Sequence, residues 1–400
     1  MSSQFSAGSS AVGYIYQVRF ALYLILKDEN LDKEVSIERL DDVAFEENGT
    51  PSELIQLKHH IKKTAALTNG CSDLWKTLRV WSEAVKNKQI QLPGVILSLI
   101  TTGIAPENSA SYYLKADQYR SPDKARDILL QFIDTSKSET NKVNYEAFLT
   151  LTDEEQLDLL RAIYIIDKSP NIIEISDLIK KRLTLSTRRM YVGALYERIE
   201  GWWFNKIIEH LVANSIGFIP GYEVQDAIND FAEQFRPDSL PIDYYDETPT
   251  DRDFNTVNEN MLFVEQLHLL ELDNKSIHLS MRDYYRAFIQ RSRWAKDELL
   301  FVGELQRYEK KLVEEWERQF IRVNRSKKSV DEEVLIERGL ELFDWMNDAQ
   351  IYIRKNCTEP YVMRGSYHML ANKSNLCLGW HPRFKERISE LLENYKERSI

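Results

Sequence analysis

The chain has 400 residues, 43% of them apolar and 29% charged, enough for a well-buried core divided among two or three domains. Its 52 Lys and Arg face 63 Asp and Glu, a formal net charge of -11, which excludes a surface that grips nucleic acid by bulk electrostatics. Cys71, Cys357 and Cys377 are the only cysteines and show no C-x-x-C spacing, so neither a zinc site nor a disulfide framework is expected.

The opening MSSQFSAGSSAVGYIYQ has no basic stretch, apolar run or small-residue cleavage site, and no run approaches the length of a membrane span. A cytoplasmic chain without membrane contact is expected. Residues 10–28 place Val12, Ile15, Tyr16, Phe20, Leu22, Leu24 and Ile25 at helical spacing. The period then changes to two: Val35 and Ile37, next Val43 and Phe45, then Leu54, Ile55 and Leu57, with Glu-Asn-Gly-Thr-Pro at 47–51 as the connecting turn. Helical spacing returns over 73–88, and the apolar GVILSLITT at 94–102 reads as a strand buried on both faces. The order α-β-β-β-α-β thus ends near residue 105. Beyond it, segments near 122–133, 153–164, 173–183, 187–214, 222–235, 281–297, 299–324 and 331–355 are helical in pattern and strand signals almost vanish. The polar, Pro-containing Arg236 to Asp253 interrupts this array as a long loop or subdomain boundary. The expected fold class is therefore α+β over residues 1–110, followed by a mainly α-helical region over 111–400.

The stretch IERLDDVAFEENGTPSELIQLKHH, residues 37–60, carries the chemistry. Period two puts Gln56 and Lys58 on one face of their strand, and a hairpin brings Asp42 beside them. A carboxylate, an amide oxygen and an ammonium then meet at one sheet edge. Phosphodiester hydrolysis uses that combination, because Mg²⁺ prefers hard oxygen ligands, keeps several waters and needs only one or two protein carboxylates. A nearby lysine orients the attacking water and offsets charge on the phosphorane. The spacing alone also suits a solvated strand face.

AVGYIYQ (Ala11 to Gln17), IERLDD (Ile37 to Asp42) and IQLKHH (Ile55 to His60) together resemble the double-stranded-DNA nuclease domain of antiphage effectors, a divergent PD-(D/E)xK restriction-endonuclease-like domain also found in cyclic-nucleotide-signalled (CBASS) effectors. The resemblance implies Asp42 as the metal-binding acid, Gln56 as the second metal-proximal ligand and Lys58 as the catalytic lysine, with Mg²⁺ or Mn²⁺ as cofactor. Glu38 and Asp41 are further candidates, because the strand start decides which acid faces the metal. Gln17, His59 and His60 are auxiliary candidates, each with an alternative as a packed or solvated residue. LYERIEGWWFNKIIEHL (Leu195 to Leu211), FRPDSLPI (Phe235 to Ile242) and RGSYHMLANKSNLCLGWHPRF (Arg364 to Phe384) resemble the C-terminal region of nuclease subunits in ABC-three-component systems, the group that includes Lamassu. That resemblance implies an SMC-like coiled-coil ATPase and a small third subunit as partners, double-stranded DNA as substrate, and a nuclease held inactive until release and self-association into a dimer or tetramer. A catalytically inactive structural or DNA-binding subunit, and an effector of a cyclic-nucleotide system, are the alternatives. Retention of Asp42, Gln56 and Lys58 speaks against the first, and the lack of a strand-rich ligand-sensing region against the second. Trp202 and Trp203 fall on adjacent helix faces, so one is expected in a core, while His368 and His381, without acids at ligand spacing, read as packed or capping residues. Residues 1–110 hold 11 Lys and Arg against 13 Asp and Glu, and most of the acidity lies in the last part of the chain. A single near-neutral nuclease domain would grip DNA weakly and depend on assembly.

Overall fold

The computed structural model describes residues 7–27, 33–39, 41–47, 50–59, 65–212, 218–249, 261–325 and 331–398. The chain divides into two units, Met1–Ala232 and Glu233–Ile400. The first is mixed α/β and the second is mostly helical. No helix of the described residues is long and apolar enough to cross a membrane.

The first unit opens with α1 (Ala7–Lys27), β1 (Glu34–Ile37), β2 (Val43–Glu47), β3 (Thr50–Lys58), α2 (Ser72–Lys86) and β4 (Ile96–Thr101), the order the sequence predicts. It continues through α3 (Ala110–Tyr113), α4 (Pro122–Thr135), α5 (Lys142–Leu149) and α6 (Asp153–Ala162) into β5 (Ile163–Ile166). Then come α7 (Ile172–Leu183), a short 3₁₀ turn at Arg189–Tyr191, α8 (Val192–Val212), β6 (Ile219–Pro220) and α9 (Gly221–Glu233). The six strands form one sheet in the order β5-β4-β3-β2-β1-β6. β3 runs antiparallel to β2 and parallel to β4, and β5 runs parallel to β4.

Both faces of the central strands are covered. Leu54 of β3 and Leu97 and Leu99 of β4 pack with Leu74, Trp75, Leu78 and Trp81 of α2, in a core that also takes in Leu129, Phe148, Leu159, Leu160, Ile163 and Ile165. Ile55 and Leu57 alternate to the other side of β3 and are buried as well. Just past that strand, the ring of Tyr16 from α1 lies 4.5 Å from His59. α8 is tied to α1 by Trp203, whose indole N–H donates to the Val18 carbonyl at 2.7 Å, while Trp202 is only half-buried. Arg19 pairs with Glu200 and donates to the Ile172 carbonyl at the start of α7.

The boundary expected at residue 110 thus falls inside the first unit, and the division between the units comes after Ala232. β5 and β6 are the reason. Ile163 is at once the C-cap of α6 and the first residue of β5, so no glycine, proline or polar turn separates the two patterns. β6 has two residues, Ile219 and Pro220, paired with Val35 and Glu34 at the sheet edge, too short to show a period.

Gly201 lies on an exposed stretch of α8, and a Cβ there would meet nothing within 4 Å. Gly201→Ala is expected to stabilise the protein by about 0.5–1 kcal/mol, because alanine removes the entropic cost of a mid-helix glycine. Denaturant titration reads this, and a loss of stability would contradict it.

The second unit is built from α10 (Leu262–His268), α11 (Asn274–Lys296), α12 (Glu304–Val323), α13 (Glu332–Asp348), α14 (Pro360–Ala371) and α15 (Phe384–Arg398). Residues 236–249 hold no helix or strand, in line with the loop expected there, and Trp294 anchors them by donating to the Pro241 carbonyl. α11 and α14 approach backbone to backbone at Gly365, where a Cβ would lie 2.1 Å from the Asp283 carbonyl oxygen, so only glycine permits this approach. His368 is packed among Phe263, Phe343 and Trp380. His381 is also buried, and its Nδ1 accepts from the Arg383 amide ahead of α15. Among the described residues neither lies in a group of three or more His, Cys, Asp and Glu side chains arranged to hold a metal.

Burial drives the His368 imidazole down to about 3, so it stays neutral in the fold at pH values where an unfolded chain protonates it. Above pH 6.5 this has no consequence. As pH falls from 6.5 towards 3 the unfolded state binds the extra proton, and stability falls by on the order of 3 kcal/mol at pH 4. His368→Leu is expected to flatten that part of the stability-versus-pH curve. Melting curves of the two proteins between pH 7 and 4 test it, and parallel acid losses would refute it.

Candidate functional site

Local geometry at the end of the sheet follows from the β1–β2 turn. Glu38 leaves β1 with φ of 56°, a left-handed conformation that a non-glycine residue adopts at a cost, and its amide donates to the Asp42 carbonyl at 3.2 Å. The turn returns the chain into β2 with Val43 opposite Ile55 of β3. One residue further along that register, Asp42 comes level with Gln56. Glu38, Asp41 and Asp42 therefore gather at the end of the sheet where β3 finishes with Gln56 and Lys58.

Asp42 accepts through Oδ2 from the Leu57 amide at 2.7 Å, which pins the carboxylate to the β3 backbone. Gln56, 8% exposed, bridges two partners. Its Nε2 donates to Asp41 Oδ1, and its Oε1 accepts from Lys58 Nζ at 2.7 Å. An amide suits this place because it can donate to one neighbour and accept from the other, whereas glutamate would set a second charge against Asp41.

Asp41, 7% exposed, is the most enclosed of the three acids. Besides Gln56 it accepts from Trp81 Nε1 of α2 at 2.6 Å and from the Asp42 amide at 3.0 Å. Burial pushes its carboxyl up to about 7, the Trp81 hydrogen bond opposes this, and the charge of Asp42 adds to it. With both oxygens occupied, Asp41 locks Gln56 to α2 rather than facing outward. The carboxyl of Glu38 is raised by burial and then by the charge of Asp42, and lowered in part by a hydrogen bond from Gln17 and by Lys58.

The structure thus brings together Gln17, Glu38, Asp41, Asp42, Gln56 and Lys58. It does not bring His59 to them. Alternation turns that ring to the other side of β3, where it lies tilted against Tyr16 and lines a cavity of about 570 Å³ with Val12, Thr102, Ile104, Lys168 and Ile173. His60 lies outside the described residues. Trp81 is the contributor that sequence reasoning missed, since its helical spacing marks it only as a core residue.

Among the described residues no group of three or more His, Cys, Asp and Glu side chains is arranged to hold a metal ion. A hydrated Mg²⁺ needs fewer. Asp42 and Gln56 offer a carboxylate and an amide oxygen, and Glu38 stands beside them, its carboxyl raised first by burial and then by the charge of Asp42. The donor chemistry present fits such an ion.

Residues 263–388 match the family model described as C-terminal domain 7 of the ABC-three component (ABC-3C) systems. The match supports membership in such a system. It begins in α10, ends in α15 and lies wholly within the second unit, so the ABC-3C domain and the carboxylate–lysine cluster belong to different units of the chain. No curated protein matches the chain.

Proposed function

We propose that the first unit is a Mg²⁺-dependent double-stranded-DNA endonuclease of restriction-endonuclease-like fold, and that the chain is the nuclease effector of an ABC-3C antiphage system. The observation that carries this is the convergence of Asp42, Gln56 and Lys58, with Glu38 and Gln17, at one end of the β1–β2–β3 sheet. Asp42 and Gln56 would hold the ion, which when bound polarises the phosphate and lowers the pKa of water.

Lys58, held by Gln56 Oε1, sets a positive charge and a donor beside the position of the phosphate, where negative charge builds as water adds. Water attacks phosphorus opposite O3′, the P–O3′ bond breaks, and a water proton goes to the leaving oxygen, giving 5′-phosphate and 3′-hydroxyl ends. Asp41 holds no substrate in this scheme. It fixes the amide of Gln56, and through it the ammonium of Lys58, against Trp81. Phosphate contacts position without specifying, so cutting with little base preference is expected.

ABC-3C systems contain SMC-like partner subunits. In this reading the ATPase, with a small third subunit, holds the nuclease inactive until it is released and self-associates. The described residues of one chain present one such cluster, so cutting both strands calls for two copies. The end chemistry tests the reaction class: fragments should be ligated directly by an enzyme that needs 5′-phosphate and 3′-hydroxyl groups. Ends that ligate only after phosphate is removed from the 3′ side would refute it.

A further inference from the structure

We propose that the cavity beside His59 is a binding site for a small molecule with an apolar body and one anionic group, a carboxylate, sulfonate or phosphate. It holds about 570 Å³, within the size range of small-molecule sites, and lies outside the carboxyl ends of the parallel strands β3, β4 and β5. Open parallel sheets bind their ligands at that end. Four segments build its wall: α1 through Val12, the exit of β3 through His59, the exit of β4 through Thr102 and Ile104, and the β5–α7 connection from Lys168 into the first turn of α7. Backbone hydrogen bonds tie these segments together. The Lys168 amide donates to the Gly103 carbonyl at 2.8 Å, the Ser169 amide to the Thr101 carbonyl at 3.0 Å, and the Thr102 amide to the Lys58 carbonyl at 3.2 Å. The cavity thus backs on to the strand end whose other side carries the carboxylate–lysine cluster, and it is formed before a ligand arrives.

The apolar body follows from the isoleucines of the lining. Ile104 is 42% and Ile173 70% exposed, so both leave apolar surface in water that an occupant would cover. The anionic group follows from how the charges are used. Two acids flank Lys168, and both are committed elsewhere. Asp167 pairs with Lys115 at 3.3 Å and accepts from the Ala105 amide at 3.0 Å. Glu174 accepts from the Asn171 amide at 2.9 Å, where its charge sits against the positive end of α7. The neutral polar groups of the loop are engaged as well: Asn171 Oδ1 accepts from the amides of Ile173 and Glu174, and the Ser169 hydroxyl donates to the Ile166 carbonyl. Lys168 is exposed and pairs with no carboxylate among the described residues, which leaves its ammonium for a ligand.

The test is a fluorescence titration of the full-length chain with anilinonaphthalene sulfonate and with phenylnaphthylamine, the same ring system without the charge. The sulfonate should bind saturably, and about 5- to 10-fold more tightly than the neutral probe. Lys168→Met should erase that difference by weakening the sulfonate alone. Ile173→Glu puts a charge into the mouth at a first-turn helix position that suits glutamate, and should weaken both probes. Leu185→Glu, at a residue 96% exposed and outside the cavity lining, should leave both as in wild type. No saturable binding to the wild type overturns the proposal, and so does equal affinity for the two probes; neither readout needs a variant to fold. Wild-type affinity in Lys168→Met, or the same loss in Leu185→Glu as in Ile173→Glu, overturns it too, by placing the probe on an ordinary apolar surface.

Discussion

Lys58→Ala is expected to lower the rate of DNA cleavage by about 10²- to 10³-fold while leaving the fold in place. The ammonium is held from one side by Gln56 Oε1 and stands at the exit of β3, half-buried, so its removal takes away positive charge without opening a core cavity. Asp42→Ala should be at least as severe, since it removes the carboxylate that the Leu57 amide holds in place. Trp81→Phe separates positioning from chemistry. It deletes the indole N–H that fixes Asp41, so cleavage should fall by a smaller factor, with the affinity for DNA almost unchanged. Single-turnover rates on a labelled duplex distinguish these cases. Equal losses for Trp81→Phe and Lys58→Ala would mean that the cluster responds as one fragile unit, and that the roles assigned here are wrong.

Arg354→Ala is expected to destabilise the second unit by about 3–5 kcal/mol, the cost of breaking a buried ion pair from one side. The guanidinium donates through Nε and Nη2 to the two oxygens of Glu304 at 2.8 and 2.7 Å, and through Nη1 and Nη2 to the carbonyls of Ser239 and Leu299. It also lies 4.4 Å over the Phe301 ring. Burial alone would raise the Glu304 carboxyl, yet Arg354 and the Phe301 amide hold it below the ordinary range, so the pair is ionised in the fold. Alanine would strand that carboxylate and two carbonyls at once. Because Ser239 belongs to the loop before α10 and Arg354 to the loop before α14, the loss should spread over the unit rather than fray one helix. Denaturant unfolding of the full chain checks this. A change under 1 kcal/mol would show that water replaces the guanidinium at little cost.

Residues 37–58 were legible because two simple rules act there together. Period two sets Gln56 and Lys58 on one side, and an antiparallel hairpin brings the acids of residues 38–42 towards them, with the choice among those acids left to the strand start. The role of Asp41 was not legible. Asp41 and Asp42 are adjacent and chemically identical, and only the arrival of Trp81 from α2, with its indole N–H, turns one inward. His59 follows Lys58 by one residue, and that single step carries it to the opposite side of the strand. β5 was hidden by the seamless passage from α6 into Ile163, and β6 by its two-residue length. Edge strands this short are held by their neighbours rather than by their own pattern, which is why the first unit reaches to Ala232 although strand signals fade after residue 105.

The near-neutral charge of the first 110 residues sets how such a nuclease would have to work. Eleven Lys and Arg against 13 Asp and Glu give one copy little electrostatic hold on DNA, and several copies together would gain by avidity what each lacks. Cleavage itself nevertheless depends on a single cluster of side chains. Its most direct test is supercoiled plasmid incubated with the full-length chain, free of partner subunits, in Mg²⁺, in EDTA, and with Lys58→Ala in Mg²⁺. Nicked and linear DNA in the first reaction alone is the predicted result; intact plasmid in all three, or equal cutting by Lys58→Ala, would contradict it.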